Sequence, residues 1–112
     1  MSFKIVPVQS FLKKVKYLSK KHPSLKDDLR NLGADLTLNH KLGTPIGRNC
    51  YKVRLQITSK GKGKSGGARV ITHLIVSIEH ETLYLLKIYD KANQDNISET
   101  ELKQMLASIQ NA

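Results

Sequence analysis

The pattern of apolar and polar positions divides the chain into four extended and three helical segments. Residues 3–8 are rich in β-branched side chains and predict a first strand. Pro7 places this strand at a sheet edge, because proline lacks the N–H that a central strand needs. Apolar residues then recur at helical spacing in two stretches separated by His22-Pro23. This pattern predicts a helical hairpin.

Serines mark the expected start of each helix. Ser10 is the expected N-cap of the first helix, and Ser24 with Asp27 forms the expected capping box of the second. Ser98 and Glu101 repeat that signature before a final helix. The apolar positions of this final helix are Leu102, Met105, Leu106 and Ile109.

The second half of the chain changes from helical spacing to alternation. Residues 39–50 contain glycine and proline and predict a loop, after which residues 51–58, 69–78 and 82–89 predict strands. Short links between these strands favour an antiparallel meander. The order β-α-α-β-β-β-α predicts an α+β fold in which a helical hairpin and a C-terminal helix pack on a mainly antiparallel sheet. One domain over residues 1–112 is expected, because neither a repeat nor a linker divides the chain.

Charge is distributed unevenly along the chain, whose net charge is +10. Between Asp35 and Glu79 there is no acidic residue. A surface that concentrates positive charge is expected to bind something anionic, and a phosphate backbone is the leading candidate. The cations in this window are Lys41, Arg48, Lys52, Arg54, Lys60, Lys62, Lys64 and Arg69.

The remaining composition limits the compartment and the chemistry. The single cysteine, Cys50, excludes an internal disulfide and favours a reducing cytoplasm. No stretch approaches the roughly 20 apolar residues of a membrane span, and no targeting signal is visible. A cytoplasmic protein without a membrane partner is therefore expected. The four histidines are scattered without ligand spacing, so neither a metal site nor another cofactor is expected.

A glycine-rich basic loop over residues 59–69 leads into a strand. Gly63-Lys64-Ser65 suggests a nucleotide-binding loop, but Thr58 occupies the position of that motif's first glycine and a strand, not a helix, follows. A solvated hairpin connection is the simplest alternative. Cations on the neighbouring strands favour a phosphate-binding surface instead: Lys52, Arg54 and Arg69 lie beside the loop, and Lys87 and Lys91 flank Tyr89.

Three stretches resemble the RelE/ParE toxin superfamily, nearest to the HigB-like RelE toxins of bacterial type II toxin–antitoxin systems. They are Tyr51-Lys52-Val53-Arg54-Leu55, the run from Gly63 to Ile71 (Gly-Lys-Ser-Gly-Gly-Ala-Arg-Val-Ile), and the run from Leu83 to Lys91, which ends in Tyr-Asp-Lys. The resemblance implies a metal-independent endoribonuclease that cuts messenger RNA on the ribosome. It also implies a cognate antitoxin as partner, beside messenger RNA and ribosomal RNA.

The resemblance also suggests roles for individual residues. Arg69 is expected to stabilise the phosphate in the transition state, and Lys64 or Lys91 to act as acid or base. Tyr89 either stacks on a base or packs in the core. The expected catalytic residues are Arg69, Lys64, Lys91 and Tyr89, and the expected RNA-binding residues are Lys52, Arg54, Lys60, Lys62 and Lys87.

Two alternatives use the same fold. One is a ParE-like protein that inhibits DNA gyrase by binding, and the other is a non-catalytic RNA-binding module. Residues 90–101 contain no tyrosine, although a tyrosine after the last strand contributes in the best-known RelE pattern. His73 shares the alternate positions of Arg69, but a packed histidine on the sheet face is the simpler interpretation.

Overall fold

A computed structural model describes residues 2–94 and 96–110. Five strands form one sheet in the order β1-β5-β4-β3-β2. The edge position of β1 is confirmed, and β1 runs parallel to β5, whereas β3, β4 and β5 form the predicted antiparallel meander. The α+β class is thus confirmed. The elements are β1 (Ser2–Pro7), α1 (Gln9–Lys21), α2 (Leu25–Leu38), β2 (Thr44–Gly47), β3 (Cys50–Leu55), β4 (Ala68–Val76), β5 (His80–Asp90) and α3 (Glu99–Gln110).

Strand β2 lies inside the segment that was predicted to be a loop. It pairs antiparallel with β3, with Thr44 opposite Lys52. Arg48 and Asn49 connect the two strands with φ of 56° and 58°, the left-handed values of a two-residue hairpin turn. The strand is only four residues long and contains proline and glycine, so its sequence carries no alternating pattern. Pairing with β3, a tertiary effect, decides its conformation.

Two of the predicted helix caps are wrong. Helix α1 begins at Gln9, so Ser10 already lies in its first turn, and no side chain caps the helix. Ser24 occupies the N-cap of α2, but its hydroxyl donates to the Asp28 carboxylate at 2.7 Å and its oxygen accepts the Ser59 N–H at 2.8 Å, not an N–H of its own helix. The capping box with Asp27 is therefore absent, because the Ser24 oxygen accepts an N–H from the glycine-rich loop instead of one from α2.

The signature before α3 is confirmed on its serine side. The Glu101 N–H donates to Ser98 Oγ at 3.1 Å, as an N-cap requires. The Glu101 carboxylate does not complete the box, because it pairs with Lys87 on β5.

Two hydrophobic clusters cover the two faces of the sheet. The larger lies under α1 and α2, where Val53, Val70 and Ile88 are opposed on β3, β4 and β5. The smaller lies under α3, where Leu102 packs among buried side chains of the opposite face. None of the helices in the described ranges is long and apolar enough to cross a membrane. The other residues of the smaller buried cluster are Cys50, Ile71, Leu86 and Tyr89.

The glycine-rich loop returns to the sheet through Gly67, which is fully enclosed by backbone. A β carbon at Gly67 would lie 2.1 Å from the Leu55 oxygen and 3.0 Å from the Ile57 nitrogen. The Gly67 oxygen accepts the Lys91 N–H at 3.1 Å. Only glycine fits here, because any side chain would push the loop away from β3.

Alanine substitutions of Gly67, which is buried, and of Gly33, which lies in α2, should therefore have opposite effects on stability. We expect Gly67→Ala to lower the free energy of unfolding by roughly 1–3 kcal/mol through overpacking. Gly33→Ala, in α2 with no atom within 4 Å of the added carbon, should raise it by up to about 1 kcal/mol. Urea unfolding measures both, and equal effects would contradict the enclosure of Gly67.

Candidate phosphate-binding site

Five predicted site residues lie on the face of the sheet opposite α1 and α2. Arg54, Arg69 and Tyr89 are directly opposed on β3, β4 and β5. Lys52 and Lys87 occupy the next row on the same face, separated by one residue of β4. Like charges directly opposite each other destabilise a sheet. An anion bound beside the two opposed arginines would offset this repulsion, so their arrangement favours an anionic ligand.

Arg69 is buried, with 5% of its surface exposed, and the loop beside it holds its guanidinium. Nη1 donates to the oxygens of Lys64 at 3.2 Å and Ala68 at 3.0 Å, and Nη2 donates to the Ser65 oxygen at 3.2 Å. These acceptors are neutral, so they orient the charge without cancelling it. Within the described residues they use at most three of the five N–H donors, which leaves at least two for a phosphate.

Asp28 anchors the start of the glycine-rich loop to α2. Its carboxylate accepts the Thr58 N–H at 2.9 Å, the Thr58 hydroxyl at 2.6 Å and the Ser24 hydroxyl. Burial alone would raise the pKa of Asp28, but these hydrogen bonds outweigh burial and lower its pKa. The charged form is thus the form that holds the loop.

Asp90 anchors the same loop at the end of β5. Its carboxylate accepts Lys60 Nζ and the Ala92 N–H, both at 2.9 Å, and lies 3.2 Å from Nε2 of His22 after α1. Burial would raise the pKa of Asp90, but the Lys60 hydrogen bond and charge, with the other two contacts, lower it. Asp90 lies next to Tyr89 along β5, so the two side chains face opposite sides of the sheet.

Lys60 is thereby placed away from the other predicted cations. Its ammonium is directed to the helical side of the sheet, where only 12% of the side chain is exposed. Sequence reasoning assigned Lys60 to RNA and did not identify Asp28 or Asp90. Both aspartates lie outside the acid-free stretch of residues 36–78, and they reach the loop only in the folded chain. The sequence pattern therefore did not indicate that either one contacts the loop.

The remaining cations of the loop border a cavity of about 470 Å³ between α2 and β3. Lys64 lines it together with Lys52 and Arg54, and Asp28 and Asp35 line its α2 side. Lys62 is exposed on the same loop, and the Lys91 backbone is tied to Gly67. Lys64 and Arg54 are exposed and have no ion-pair partner within residues 2–94 and 96–110. Both are therefore available to an anionic ligand.

Tyr89 lies in the site row but is only 2% exposed. It packs with Leu102 and its neighbours under α3, and Lys87 Nζ lies 5.8 Å from the ring centroid. This burial matches the alternative in which the ring packs in the core. Base stacking by Tyr89 would require α3 to leave the sheet.

The one cysteine lies beside His73 at the other end of the face. Cys50 Sγ is 3.4 Å from His73 Nδ1. Burial raises the pKa of the Cys50 thiol to about 11 and lowers the pKa of His73. His73 is four residues from Arg69 on β4, about 13 Å along the strand. The pair is neutral at pH 7 and packs on the sheet face, as the simpler interpretation of His73 predicted.

The beginning of α3 brings acidic groups to the edge of the cationic face. Glu101 pairs with Lys87, Arg48 lies 3.5 Å from Glu99, and Lys52 Nζ lies 3.5 Å from the Asn96 side-chain oxygen. These contacts occupy Lys52 and Lys87. Arg54, next to Arg69, has no ion-pair partner among the described residues. Sequence patterns identified the helix start but not the direction in which its acids point.

The fold is that of a RelE-superfamily toxin. The family described as "RelE toxin of RelE / RelB toxin-antitoxin system" matches residues 11–111, which is most of the chain. The protein belongs to the RelE toxin family. It is thus the toxin component of a toxin–antitoxin pair, and an antitoxin is its implied partner.

Acid should destabilise the protein through Asp28 and Asp90. Both have a folded-state pKa below the ordinary value of about 3.9, so their contribution is present above that value and lost as pH falls through the lowered pKa. We expect the free energy of unfolding to fall below about pH 4. Asp28→Asn and Asp90→Asn should flatten this dependence, as measured by urea unfolding between pH 2 and pH 7.

Asp27→Asn is the matched control, because the Asp27 side chain is 76% exposed beside Asp28. Its pH dependence should equal that of the unmodified chain. An unchanged slope in Asp28→Asn and Asp90→Asn would show that neither carboxylate anchors the loop.

Proposed function

We propose that this toxin is a metal-independent endoribonuclease that cuts messenger RNA on the ribosome in the cytoplasm until its antitoxin covers the cationic face. The observation that carries the proposal is the juxtaposition of Arg54 with Arg69, beside the loop that carries Lys64. Two arginines held in register without a carboxylate between them suit a dianionic phosphorane.

The proposed reaction uses the RNA's own nucleophile. The 2′-oxygen attacks the adjacent phosphorus as a base removes its proton, and the bond from phosphorus to the 5′-oxygen breaks as an acid supplies a proton to that oxygen. The products are a 2′,3′-cyclic phosphate and a 5′-hydroxyl end. The reaction requires a 2′-hydroxyl, which DNA lacks.

Arg69 is the proposed transition-state ligand of the phosphate. Its guanidinium is already oriented by three carbonyl oxygens, so no reorganisation is needed when negative charge develops on the phosphate. Arg54, on the neighbouring strand, and Lys52 hold the phosphates on either side of the cut. Lys87 and the exposed Lys62 extend the RNA-binding surface.

Lys64 and Lys91 are the proposed proton carriers. Lys64 shares the cavity wall with Arg54 and lies on the loop whose carbonyls hold Arg69. Lys91 follows β5 directly, and its N–H bonds the other end of that loop at Gly67. Both lysines are thus tied to the loop that leads into Arg69, which supports their assignment as the base and the acid for one phosphate.

The first test is cleavage in cells under tight control of expression, with messenger RNA ends mapped by primer extension. The unmodified protein should produce new 5′ ends, and Arg69→Ala should reduce their yield by roughly 100- to 1,000-fold. Arg69→Lys should recover little, because lysine keeps the charge but lacks the planar fork.

Arg30→Ala provides the matched control, since Arg30 is an exposed arginine of α2 that pairs with Asp27 away from the cationic face. It should cut like the unmodified protein. Growth arrest without new RNA ends would contradict the nuclease proposal, and arrest with a DNA-damage response would point to gyrase. An Arg69→Ala variant that cuts normally would remove Arg69 from the reaction.

Salt dependence provides a second test of phosphate contact. Affinity for single-stranded RNA should fall linearly with the logarithm of salt concentration, with a slope of about −0.7 for each phosphate bound. Arg54→Ala should reduce that slope by about 0.7, whereas Arg30→Ala should leave it unchanged. Fluorescence anisotropy with an RNA that has 2′-O-methyl sugars measures binding without cleavage. A slope near zero would contradict a phosphate site.

A further inference from the structure

The cavity between α2 and β3 has cations on one wall and uncharged or acidic polar groups on the other. Lys52, Arg54 and Lys64 line the wall formed by the sheet and the glycine-rich loop. Asn31 and Asp35 line the α2 wall. The volume of about 470 Å³ lies within the range of small-molecule pockets, roughly 300–1,000 Å³. A cavity of this size can hold one nucleotide.

The cavity exists because β2 covers only part of the outer edge of β3. Thr44, at the start of β2, lies opposite Lys52, and beyond that point no strand in the described ranges pairs with this edge. Arg54 comes next on the uncovered edge, where it borders the cavity and lies directly opposite Arg69 on β4. A nucleotide in the cavity can therefore place its phosphate beside the two arginines.

Asp35 occupies an unfavourable position on its helix. It lies in the last turn of α2, where the helix dipole disfavours negative charge, and that turn contains no basic residue. Its carboxylate has no ion-pair or hydrogen-bond partner within residues 2–94 and 96–110. Asp28, on the same wall, is instead engaged by Thr58 and Ser24. The stability of α2 therefore does not explain an acid at position 35.

Asn31 and Asp35 are one helical turn apart, so their side chains are neighbours on the cavity wall. A carboxylate only accepts hydrogen bonds, and the asparagine amide can donate one beside it. The Watson–Crick edge of guanine presents one acceptor, O6, followed by two donors, N1–H and N2–H. This edge complements an amide donor followed by two carboxylate oxygens, and no other RNA base has two adjacent donors there.

We propose that this cavity is a guanine-binding pocket, in which Asp35 accepts the N1–H and N2–H of the base and Asn31 donates to its O6. Arg54 binds the phosphate of the same nucleotide. The proposal rests on the proposed function, because it makes Asp35 the residue that selects the nucleotide beside the phosphate held at Arg69. Asn31 and Asp35 determine specificity and take no part in the bond changes.

The test compares two non-cleavable 2′-O-methyl uridine heptamers whose central nucleotide is either guanosine or adenosine. Fluorescence anisotropy should show about 10-fold tighter binding of the guanosine RNA, a typical discrimination for one bidentate base contact. Asp35→Asn should remove this preference, because it replaces an acceptor oxygen with a donor that opposes the guanine N–H groups. It should not weaken binding of the adenosine RNA, whereas a distorted cavity would weaken both.

Asp27→Asn is the matched control, because Asp27 lies on the same helix outside the cavity and pairs with Arg30. It should keep the full preference for guanosine. Urea unfolding should show no loss of stability in Asp35→Asn, since the dipole of α2 disfavours the acid. Equal affinity of the unmodified protein for the two RNAs would overturn the proposal, as would no measurable binding of either. A guanosine preference that persists in Asp35→Asn would also overturn it.

Failure of the pocket is distinguishable from failure of the nuclease. If new RNA ends depend on Arg69 but the two heptamers bind equally, only the pocket is wrong. If Asp35→Asn loses the guanosine preference but the unmodified protein cuts no RNA, the pocket stands and the nuclease is wrong.

Discussion

The contact between the Arg69 guanidinium and the carbonyl oxygens of its own loop is the interaction on which the cationic face depends. A glycine-rich basic loop has no core of its own and would otherwise sample many conformations. Here Arg69 binds three of its carbonyls from the inside, and Gly67 lets the loop end lie directly on the backbone of β3. The loop in turn excludes water from the arginine, which strengthens any electrostatic interaction at that site.

Two buried aspartates complete this arrangement and determine how charge is divided between the two faces. Asp28 and Asp90 both lie on the helical side, where they accept hydroxyl, backbone and ammonium donors from the loop. The sheet therefore separates Asp90 from the arginines, whereas Asp28 lines the same cavity as Arg54 without an ion pair to it.

Much of the fold was predictable because the chain obeys simple periodicities. Apolar residues alternate in β3 and recur at helical spacing in α1 and α2, because each element buries one side. This pattern is visible in the local sequence. The failures have a different origin. Strand β2 exists because β3 offers it a pairing edge, the Ser24 oxygen accepts the Ser59 N–H instead of one from its own helix, and the Glu101 carboxylate pairs with Lys87. In each case a partner distant in sequence offers a better interaction than the local one.

The sequence by itself determined the class of fold, the excess of positive charge and the family, because all three are properties of composition and of short patterns. Only the tertiary structure decided which cations act together. Arg54 and Arg69 became neighbours through the register of β3 with β4, whereas Lys60, in the same basic run, was drawn to Asp90 on the opposite face. Strand register and burial set the distances between charges, and electrostatic energy depends on those distances. The number of lysines along the chain does not reveal them.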